Sequence, residues 1–362
     1  MHIKKNHIKL FLYHFNKIGI FKNTTLNSLN YYAIKSKIKV FEEKQIESFQ
    51  NERKSSENLA VNKIKNDKKY FFKYVNKFRA QPSSATILID NNTIITDPTN
   101  IANSLQDHFK SVFSNPNSNL EADQITNFEV PQISFPLCSF EVTPEEIIRA
   151  IDQIKPFSSC PKFNIPAIVF KKCKFTICKP LQLFLQKSFS SGIVPSSYKF
   201  NQITPIHKKG SKTKSSNYRP IAITPHEIKI FERVIRKKLV FFFESNKLFH
   251  HSQHGFRDNR SCLTQLLLHS QNIINNLLSN NSVDTFYVDY AKAFDKVDYS
   301  ILLKKLQHYG VTKEYVSWIK SFLNGRKQAV YINSSFSYEA NVVSGIPQGS
   351  VLAPLLFIIF FK

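Results

Sequence analysis

The amino-acid sequence predicts an α+β fold, and three observations lead to that prediction. Apolar residues recur at helical spacing behind capping residues, for example after Thr143, which is typical of amphipathic helices. Short apolar runs flank turn residues at 87–95 and 328–343, which is typical of β-hairpins. The chain has 362 residues, of which 42% are hydrophobic, so it can bury the cores of roughly two domains of about 150 residues each.

The first elements can be placed from their end signals. Apolar residues on both sides of Asp90 predict a small hairpin over residues 87–95. Asp97 and Pro98 are a typical helix start. The residues expected on the apolar face of this helix are Ile101, Leu105, Phe109 and Phe113.

Two further helices are indicated before residue 200. The first begins at Thr143, because Pro144 suits a first helical turn and Glu146 completes a capping box with Thr143. The second covers the apolar stretch 181–189 and ends near Gly192, since glycine favours the left-handed conformation that closes many helices.

The second half of the chain mixes short strands with helices. Residues 286–288 are predicted to form a strand, and residues 301–308 a helix ended by Gly310. Thr312 can cap another helix. The predicted hairpin over residues 328–343 follows it.

The charge balance predicts a polyanionic partner. Fifty Lys and Arg against 26 Asp and Glu leave a formal charge of +24, which attracts nucleic acid through counterion release. A basic surface without a ligand and an anionic membrane surface are the competing interpretations. No apolar run reaches the roughly 18 to 20 residues that cross a bilayer, so we expect no membrane-spanning helix.

Cysteine usage predicts a reducing compartment. The chain has an odd number of cysteines with no C-x-x-C motif, namely Cys138, Cys160, Cys173, Cys178 and Cys262. We therefore expect an intracellular protein, cytoplasmic or nuclear, that is not secreted. His250, His251, His254 and Cys262 are too irregularly spaced to favour a zinc site.

Composition shifts predict three regions. Residues 1–68 are rich in Lys and Asn without a strong period and are expected to form a basic, linker-like arm. Residues 69–200 are expected to be a mostly helical extension. Residues 201–362, where strands mix with helices, are expected to form the main functional domain.

Asp289 is the candidate metal ligand of the chain. Phosphoryl transfer uses divalent ions held by carboxylates, because the ions activate the attacking hydroxyl and neutralise the developing charge. A carboxylate directly after the predicted strand 286–288 would be held rigidly. For an isolated V-D-Y sequence, a surface aspartate at the end of a buried strand is the more common explanation, so the neighbouring motifs decide.

Five sequence blocks occur in order, and together they resemble the reverse transcriptases of non-LTR retrotransposons, particularly the jockey-like elements. The blocks are ITPIHKKG at 203–210, NYRPIAIT at 217–224, QHGFRDNRS at 253–261, FYVDYAKAFDKVD at 286–298 and SGIPQGSVLAPLLF at 344–357. Weaker similarity extends upstream to about residue 69. The resemblance implies the fingers and a partial palm of a right-hand polymerase, which copies RNA into DNA from a primer 3′-hydroxyl using deoxynucleoside triphosphates.

The resemblance assigns roles around the 286–298 block. It makes Asp289 a ligand of the catalytic Mg²⁺ ions, with the main-chain carbonyl of Tyr290 contributing. Phe294 occupies the position of the family's ribose gate, where a bulky ring under the sugar excludes a 2′-hydroxyl by steric hindrance. Without the family, Phe294 is equally well explained as a core residue.

The resemblance also implies nucleotide contacts outside that block. Lys208 or Lys209, with Arg219, matches the fingers positions that hold the incoming triphosphate, and the sequence does not decide between the two lysines. Gln348 matches a residue that lies against the nucleotide and the template.

A further block matches the residues that position the template strand. They are Gln253, Gly255, Phe256 and Arg257. Of these, Arg257 carries the charge to contact a phosphate.

Two departures from the family pattern lead to further expectations. Lys162 and Phe163 stand where the family has Asp and Gly, so the turn at 160–166 is expected to be altered. The family also places a Y-x-D-D turn after the PQG block, and no Asp-Asp dipeptide occurs in this sequence. We therefore expect that the thumb and the end of the palm are absent, that residues 351–361 lack packing partners, and that the chain alone is an inactive fragment.

Two alternatives accompany this interpretation. The chain could serve as a non-catalytic nucleic-acid-binding remnant that keeps the basic fingers and arm. A group II intron or telomerase enzyme is a weaker competitor, because the 217–224 and 253–261 blocks suit the retrotransposon class better.

Overall fold

The computed structural model describes residues 87–90, 93–114 and 132–361, with scattered helical positions between residues 43 and 61. The chain divides into two compact units, Met1–Ser84 and Ala85–Lys362, and every element named below belongs to the second. The predicted arm at 1–68 and the start of the predicted extension lie largely outside the described residues. Helices and short strands alternate along the second unit, so the α+β prediction is confirmed.

The N-terminal hairpin and the helix after it form as the sequence predicts. Strands β1 (Leu88–Asp90) and β2 (Thr93–Ile95) pair antiparallel. Helix α1 (Pro98–Ser111) begins after Asp97, whose side chain accepts a hydrogen bond of 2.9 Å from the N–H of Asn100. The buried apolar face of α1 includes Ile101, Leu105 and Phe109.

Helix α2 (Pro144–Asp152) has the predicted capping box. The Thr143 side chain accepts from the Glu146 N–H at 3.3 Å, and the Glu146 carboxylate accepts from the Thr143 N–H at 3.1 Å. These two bonds satisfy main-chain donors that no helical carbonyl can reach. Ile147 and Ile151 then face the core.

Helix α3 (Ala167–Lys172) precedes α4 (Lys174–Ser191), which is longer than predicted. Pro180 lies inside α4, and a proline normally ends a helix because it lacks the N–H donor. Because of this local signal, the first turns of α4 could not be predicted from the sequence. The helix ends at Gly192, which has the left-handed φ of +64° expected for a closing glycine.

The main sheet is built around β3. Strand β3 (Phe200–His207) pairs antiparallel with β4 (Tyr218–Ile223) and parallel with β5 (Arg326–Ile332). Strands β6 (Ser335–Phe336) and β7 (Ala340–Val342) both pair antiparallel with β5, one at each end. The predicted hairpin over 328–343 is therefore confirmed, with β5 as its long strand.

The turn of this hairpin contains two residues with positive φ angles. Asn333 and Ser334 connect β5 to β6 with φ angles of +49° and +66°. Two successive left-handed residues make the turn that best matches the twist of antiparallel strands. Asparagine tolerates this conformation better than most residues.

Five further helices follow β4 along the described part of the chain. They are α5 (His226–Ser245), α6 (Cys262–Leu278), α7 (Tyr299–His308), α8 (Lys313–Leu323) and α9 (Ala353–Phe361). The predicted end of α7 is confirmed, since Gly310 has a φ of +79°. Helix α8 begins after Thr312 as predicted, but the Thr312 side chain makes no capping bond, so the predicted cap is wrong. No helix among the described residues is long and apolar enough to span a membrane.

The described unit has two hydrophobic cores. The smaller core lies between α1 and the main sheet and includes Leu105, Ile203 and Val330. The larger core is formed by the helices, with Trp318 fully buried and its indole N–H donating to Ser188 at 3.1 Å. These cores hold the sheet and the helices that support the candidate site.

The expectation that residues 351–361 lack partners is wrong. Leu352 and most of the apolar side chains of α9 are buried in the larger core, and Phe361 at the end of the helix is 55% exposed. Lys305 on α7 also donates to the carbonyl of Phe360 at 2.6 Å. The partners come from helices earlier in the chain, which a linear reading of residues 351–361 does not reveal.

The turn at 160–166 differs in sequence from the family pattern, and Lys162 makes several contacts in it. Phe163 has a left-handed φ of +71°, a conformation that favours glycine. The Lys162 ammonium lies 5.1 Å from the Phe163 ring and 5.2 Å from the Tyr331 ring. The main-chain N–H of Lys162 donates to the Gln202 side-chain carbonyl at 2.8 Å. Cation–π contacts and this bond offset the strain of a bulky residue at positive φ.

Candidate active site

Asp289 lies in an extended, exposed segment. No helix or strand covers residues 281–290, and the Phe286, Tyr287 and Val288 side chains are 87%, 85% and 75% exposed. The prediction of a strand at 286–288 is wrong for this structure. A strand requires a neighbour for its main-chain hydrogen bonds, and no described strand pairs with this segment.

The segment joins an ordered turn immediately after Tyr290. The loop that contains the PQG motif lies against this turn through two main-chain hydrogen bonds. Gly345 donates to the Val297 carbonyl at 2.8 Å, and Ile346 donates to the Phe294 carbonyl at 2.9 Å. The structure therefore brings the 286–298 and 344–357 blocks together.

A side-chain pair joins the same two blocks. The amide nitrogen of Gln348 donates to both carboxylate oxygens of Asp295, at 2.9 and 3.1 Å. Asp295 is only 7% exposed. Burial raises the pKa of the Asp295 carboxyl, while the Gln348 hydrogen bond and the positive charge of Lys292 oppose that rise. The sequence did not single out Asp295, because its role depends on a partner 53 positions away.

Arg326 supports the PQG loop through hydrogen bonds. Its guanidinium, 4% exposed, donates to the Gly345 carbonyl at 2.6 Å and to the Tyr299 hydroxyl at 2.7 Å. The Tyr299 hydroxyl in turn donates to the same Gly345 carbonyl at 3.0 Å. These charge-assisted bonds fix the loop. Sequence reasoning missed Arg326, the first residue of β5.

The 217–224 block meets the same loop. Ala222 on β4 donates to the Gln348 carbonyl at 2.7 Å. Gly349 has a φ of +120°, and a Cβ at this position would lie 2.6 Å from the Ala222 carbonyl oxygen. A glycine is required here because the main chains approach too closely for any side chain.

Glu232 is a second residue that the sequence did not reveal. It lies on α5 with no exposed surface and accepts a hydrogen bond of 2.8 Å from the Leu352 N–H, just before α9. Beside it, the Ser350 hydroxyl accepts from the Ala353 N–H at 3.0 Å. The available signal was one acid among the apolar residues of α5, and charged residues are rarely fully buried without a partner.

Phe294 packs between two aromatic rings. It stacks on Phe357 with ring centres 4.3 Å apart and planes inclined by 14°, and it meets Phe256 edge-on at 6.0 Å. The three rings belong to three different sequence blocks. Phe256 is 49% exposed, so this group of rings extends from the core to the surface.

The fingers candidates lie at one end of the β3–β4 hairpin. Arg219 is paired with Ile206, and Lys208 continues the pairing, since its N–H donates to the Asn217 carbonyl at 2.8 Å. Paired residues and alternate residues of a strand share one face, so Arg219 and Lys208 lie on the same face. Lys208, Lys209 and Arg219 are all exposed.

Arg257 is held inside the template block. It donates to both carboxylate oxygens of Glu244, at 2.9 and 2.5 Å, and to the carbonyls of His250 and Gln253 at 3.0 and 3.2 Å. These bonds use all but one of its five N–H donors. The arrangement favours a role in shaping the turn, and contact with a template phosphate stays a prediction. Gln253 in turn donates to the Gly255 carbonyl at 2.9 Å.

Removing this arginine tests the structural role. We expect Arg257→Ala to lower the free energy of unfolding by about 1–3 kcal/mol, because a half-buried carboxylate and two carbonyls lose their donors. Arg236→Ala is the matched control. Its pair with Asp258 is more exposed than the Arg257–Glu244 pair, at 26% and 63% against 9% and 35%, and should contribute less than about 1 kcal/mol.

Chemical denaturation of both variants provides the measurement, and RNA binding across a salt series is recorded alongside. The structural role predicts an unchanged salt dependence for Arg257→Ala. A slope that falls by about 0.7, the value of one contact with single-stranded phosphate, would instead support the phosphate contact.

The metal prediction rests on two oxygen ligands, the Asp289 carboxylate and the Tyr290 carbonyl. Among the described residues, no group of three or more His, Cys, Asp or Glu side chains could hold a metal ion. Magnesium prefers six oxygen ligands, and a two-ion site needs several carboxylates. The described residues alone therefore do not fit a two-metal site.

Comparison with known proteins defines the class of this domain. Residues 206–362 match the family described as reverse transcriptase, or RNA-dependent DNA polymerase. This part of the chain is therefore similar to a reverse transcriptase domain, and it contains all the nucleotide-binding and template-binding candidates.

The relatives point to transposons. The chain is 34% identical over 167 residues to a probable RNA-directed DNA polymerase from the X-element transposon of Drosophila melanogaster, covering 46% of this chain and 18% of the relative. It is 30% identical over 238 residues to the RNA-directed DNA polymerase of the jockey mobile element from the same organism, covering 63% and 25%. A probable polymerase from transposon BS is 28% identical over 241 residues, covering 66% and 26%.

These matches confirm the resemblance to the jockey-like, non-LTR class that the five blocks indicate. The chain spans at most 26% of the length of these three relatives.

Proposed function

We propose that this domain binds nucleotide and template in an RNA-directed DNA polymerase of a non-LTR retrotransposon. The polymerase would extend a DNA primer on an RNA template with deoxynucleoside triphosphates. The observation that carries the proposal is that two other sequence blocks meet the PQG loop, where Gln348 contacts Asp295 and Ala222. Such contacts pre-organise a substrate site.

The proposed roles follow from position and charge. Lys208 and Arg219 hold the triphosphate, as a point charge and a planar guanidinium on one face of the hairpin. The shared face supports Lys208 over Lys209. Phe294 limits the space under the sugar, and Gln348 lies against the nucleotide.

The exposed Phe256, with Gln253 and Gly255, contacts the template, and Arg257 holds that turn. The formal charge of +24 suits an RNA template and a DNA primer. We place the protein inside the cell, in the cytoplasm or the nucleus, where such templates occur.

We expect catalysis to require metal ligands beyond those that the described residues bring together. Mg²⁺ would activate the primer hydroxyl and neutralise charge on the transferred phosphoryl group, and Asp289 and the Tyr290 carbonyl would contribute ligands. Because the described residues do not fit a two-ion site, we expect no primer extension by the chain alone. Extension that is lost in Asp289→Ala would contradict this expectation.

Nucleotide binding is the direct test of the proposed site. We expect Arg219→Ala and Lys208→Ala to weaken binding of a fluorescent deoxynucleoside triphosphate by about 10- to 150-fold, since a hydrogen bond to a charged group contributes roughly 1.5–3 kcal/mol. Arg219→Lys should lie between, because it keeps the charge and loses the planar fork. Fluorescence anisotropy at low salt measures each dissociation constant.

Lys209→Ala and Lys187→Ala are the controls for this series. Lys209 should have the smaller effect of the two neighbouring lysines, and the exposed Lys187 on α4 should have none. Equal effects in all four alanine variants would mean that general charge, and not a site, attracts the triphosphate.

The alternative, a non-catalytic nucleic-acid-binding protein, is supported by the same positive charge. It predicts salt-dependent RNA binding together with no specific triphosphate binding. The proposed function predicts both activities, with only the triphosphate affinity depending strongly on Arg219. The two binding titrations therefore separate these functions without requiring catalysis.

A further inference from the structure

The contact between Gln348 and Asp295 determines which end of the glutamine amide faces outward. An ionised carboxylate only accepts hydrogen bonds, whereas a glutamine side chain has a donating NH₂ and an accepting carbonyl. Both oxygens of Asp295 contact the same amide nitrogen. The orientation of the amide therefore follows from chemistry, and the carbonyl oxygen Oε1 of Gln348 must lie at the opposite end.

Asp295 is itself held firmly. The Ser344 hydroxyl donates to its carbonyl at 2.9 Å, and its N–H donates to the Lys292 carbonyl at 3.0 Å. Gly345 packs so closely that a Cβ there would lie 2.6 Å from the Asp295 carbonyl oxygen. These contacts fix the main chain from which the Asp295 carboxylate reaches Gln348.

The space around Asp295 and Gln348 determines from which side a substrate can approach Gln348. Asp295 and Gln348 help to line a cavity of about 30 Å³, which admits one or two water molecules and no nucleotide. Gln348 is only half-buried, and among the described residues its Oε1 has no hydrogen-bond partner. A substrate therefore meets Gln348 from the exposed side.

We propose that Asp295 is a positioning residue that presents the Gln348 carbonyl oxygen to the substrate as a hydrogen-bond acceptor. This inference rests on the proposed function of Gln348. The group of the nucleotide that the Gln348 carbonyl oxygen contacts is a hydroxyl or N–H donor on the sugar or base. A phosphate oxygen is excluded, because two acceptors would repel each other.

A double-mutant cycle on nucleotide affinity tests this positioning role. The variants are Asp295→Asn, Gln348→Ala and their combination, measured with a fluorescent deoxynucleoside triphosphate. Asparagine fills the same volume but lets the Gln348 amide adopt either orientation, so we expect affinity to fall about 2- to 12-fold, the effect of one hydrogen bond. In the Gln348→Ala background the same change should have no further effect, because Asp295 acts through Gln348.

Additive effects in the cycle, or an unchanged affinity for Asp295→Asn, would overturn the inference. If the wild-type chain binds no nucleotide, the proposed function itself fails. If it binds and Arg219→Ala weakens binding while Asp295→Asn does not, only the positioning role fails.

A stability measurement checks the pair independently of nucleotide. Gln348→Glu places two carboxylates together, so its melting temperature should fall at pH 7 and recover on acidification, when the pair shares a proton. Adding Asp295→Asn should restore the melting temperature at pH 7, because the asparagine NH₂ can donate to Glu. A double variant as unstable as Gln348→Glu would show that the two side chains do not form this bond in solution.

Discussion

Gly345→Ala is expected to destabilise the domain by about 2–6 kcal/mol, the sum of roughly 1–3 kcal/mol of backbone strain and a similar overpacking term. Gly345 has a φ of +78°, and an added Cβ would lie 2.6–2.8 Å from three main-chain atoms of Asp295. Real Cβ atoms do not approach main chain so closely, and this main chain is fixed by its own hydrogen bonds. The loop that carries Gln348 would have to move.

Gly325→Ala separates the two contributions to that loss. Gly325 has a similar φ of +69°, but an added Cβ there meets only the Lys199 side chain, at 3.8 Å. Gly325→Ala should therefore be destabilised by backbone strain alone, without the overpacking. Denaturant unfolding of both variants measures the difference, and an equal loss of stability would mean that the loop tolerates the added methyl group.

Glu232→Ala is expected to destabilise the domain by about 2–5 kcal/mol. The substitution removes the buried acceptor of the Leu352 N–H, which costs roughly 1–3 kcal/mol, and it leaves a cavity in α5 that adds to the loss. Because Leu352 directly precedes α9, the helix start should loosen. Hydrogen exchange of the Leu352 amide and denaturant unfolding measure the two effects.

Glu232→Gln is the matched control. It keeps an acceptor for Leu352 and changes only the second carboxylate oxygen, Oε1, which has no partner among the described residues. A loss as large as that of Glu232→Ala would show that the charge, and not the hydrogen bond, is what α9 requires.

The difference in stability between Glu232→Gln and the wild-type protein should depend on pH, and the sign of that dependence can be predicted. Burial raises the pKa of Glu232 above its ordinary value of 4.5, although hydrogen bonds from the Leu352 N–H and the Ser350 hydroxyl oppose the rise. A raised pKa in the folded state means that stability is present below the ordinary value and is lost as pH rises through the folded value. Glu232→Gln does not titrate, so its stability relative to wild type should increase as the pH rises above 4.5.

Local signals determine the helix ends correctly. The Thr143 capping box, the Asp97 cap and the closing glycines at 192 and 310 act over a few residues, so they can be recognised without knowing the fold. The start of α4 could not be predicted, because Pro180 is a local stop signal that the packing of this helix overrides.

The strand expected at 286–288 shows the opposite case. Its apolar residues have strong strand propensity, but a strand forms only when a neighbour accepts its hydrogen bonds. No described strand lies beside it, so propensity alone gave the wrong result. The buried residues of α9 likewise depend on helices that are distant in sequence.

The α+β class, the five blocks and the similarity to reverse transcriptases could be predicted before folding is considered, because composition, capping and motif order are properties of the linear chain. How those blocks meet could be seen only in the folded chain. In the fold, Gln348 contacts Asp295, and most N–H donors of Arg257 bond to other groups of the protein. Glu232 and Arg326 support the segments that they contact. These outcomes depend on contacts between residues far apart in sequence, where distance and burial select one partner among many chemically suitable ones.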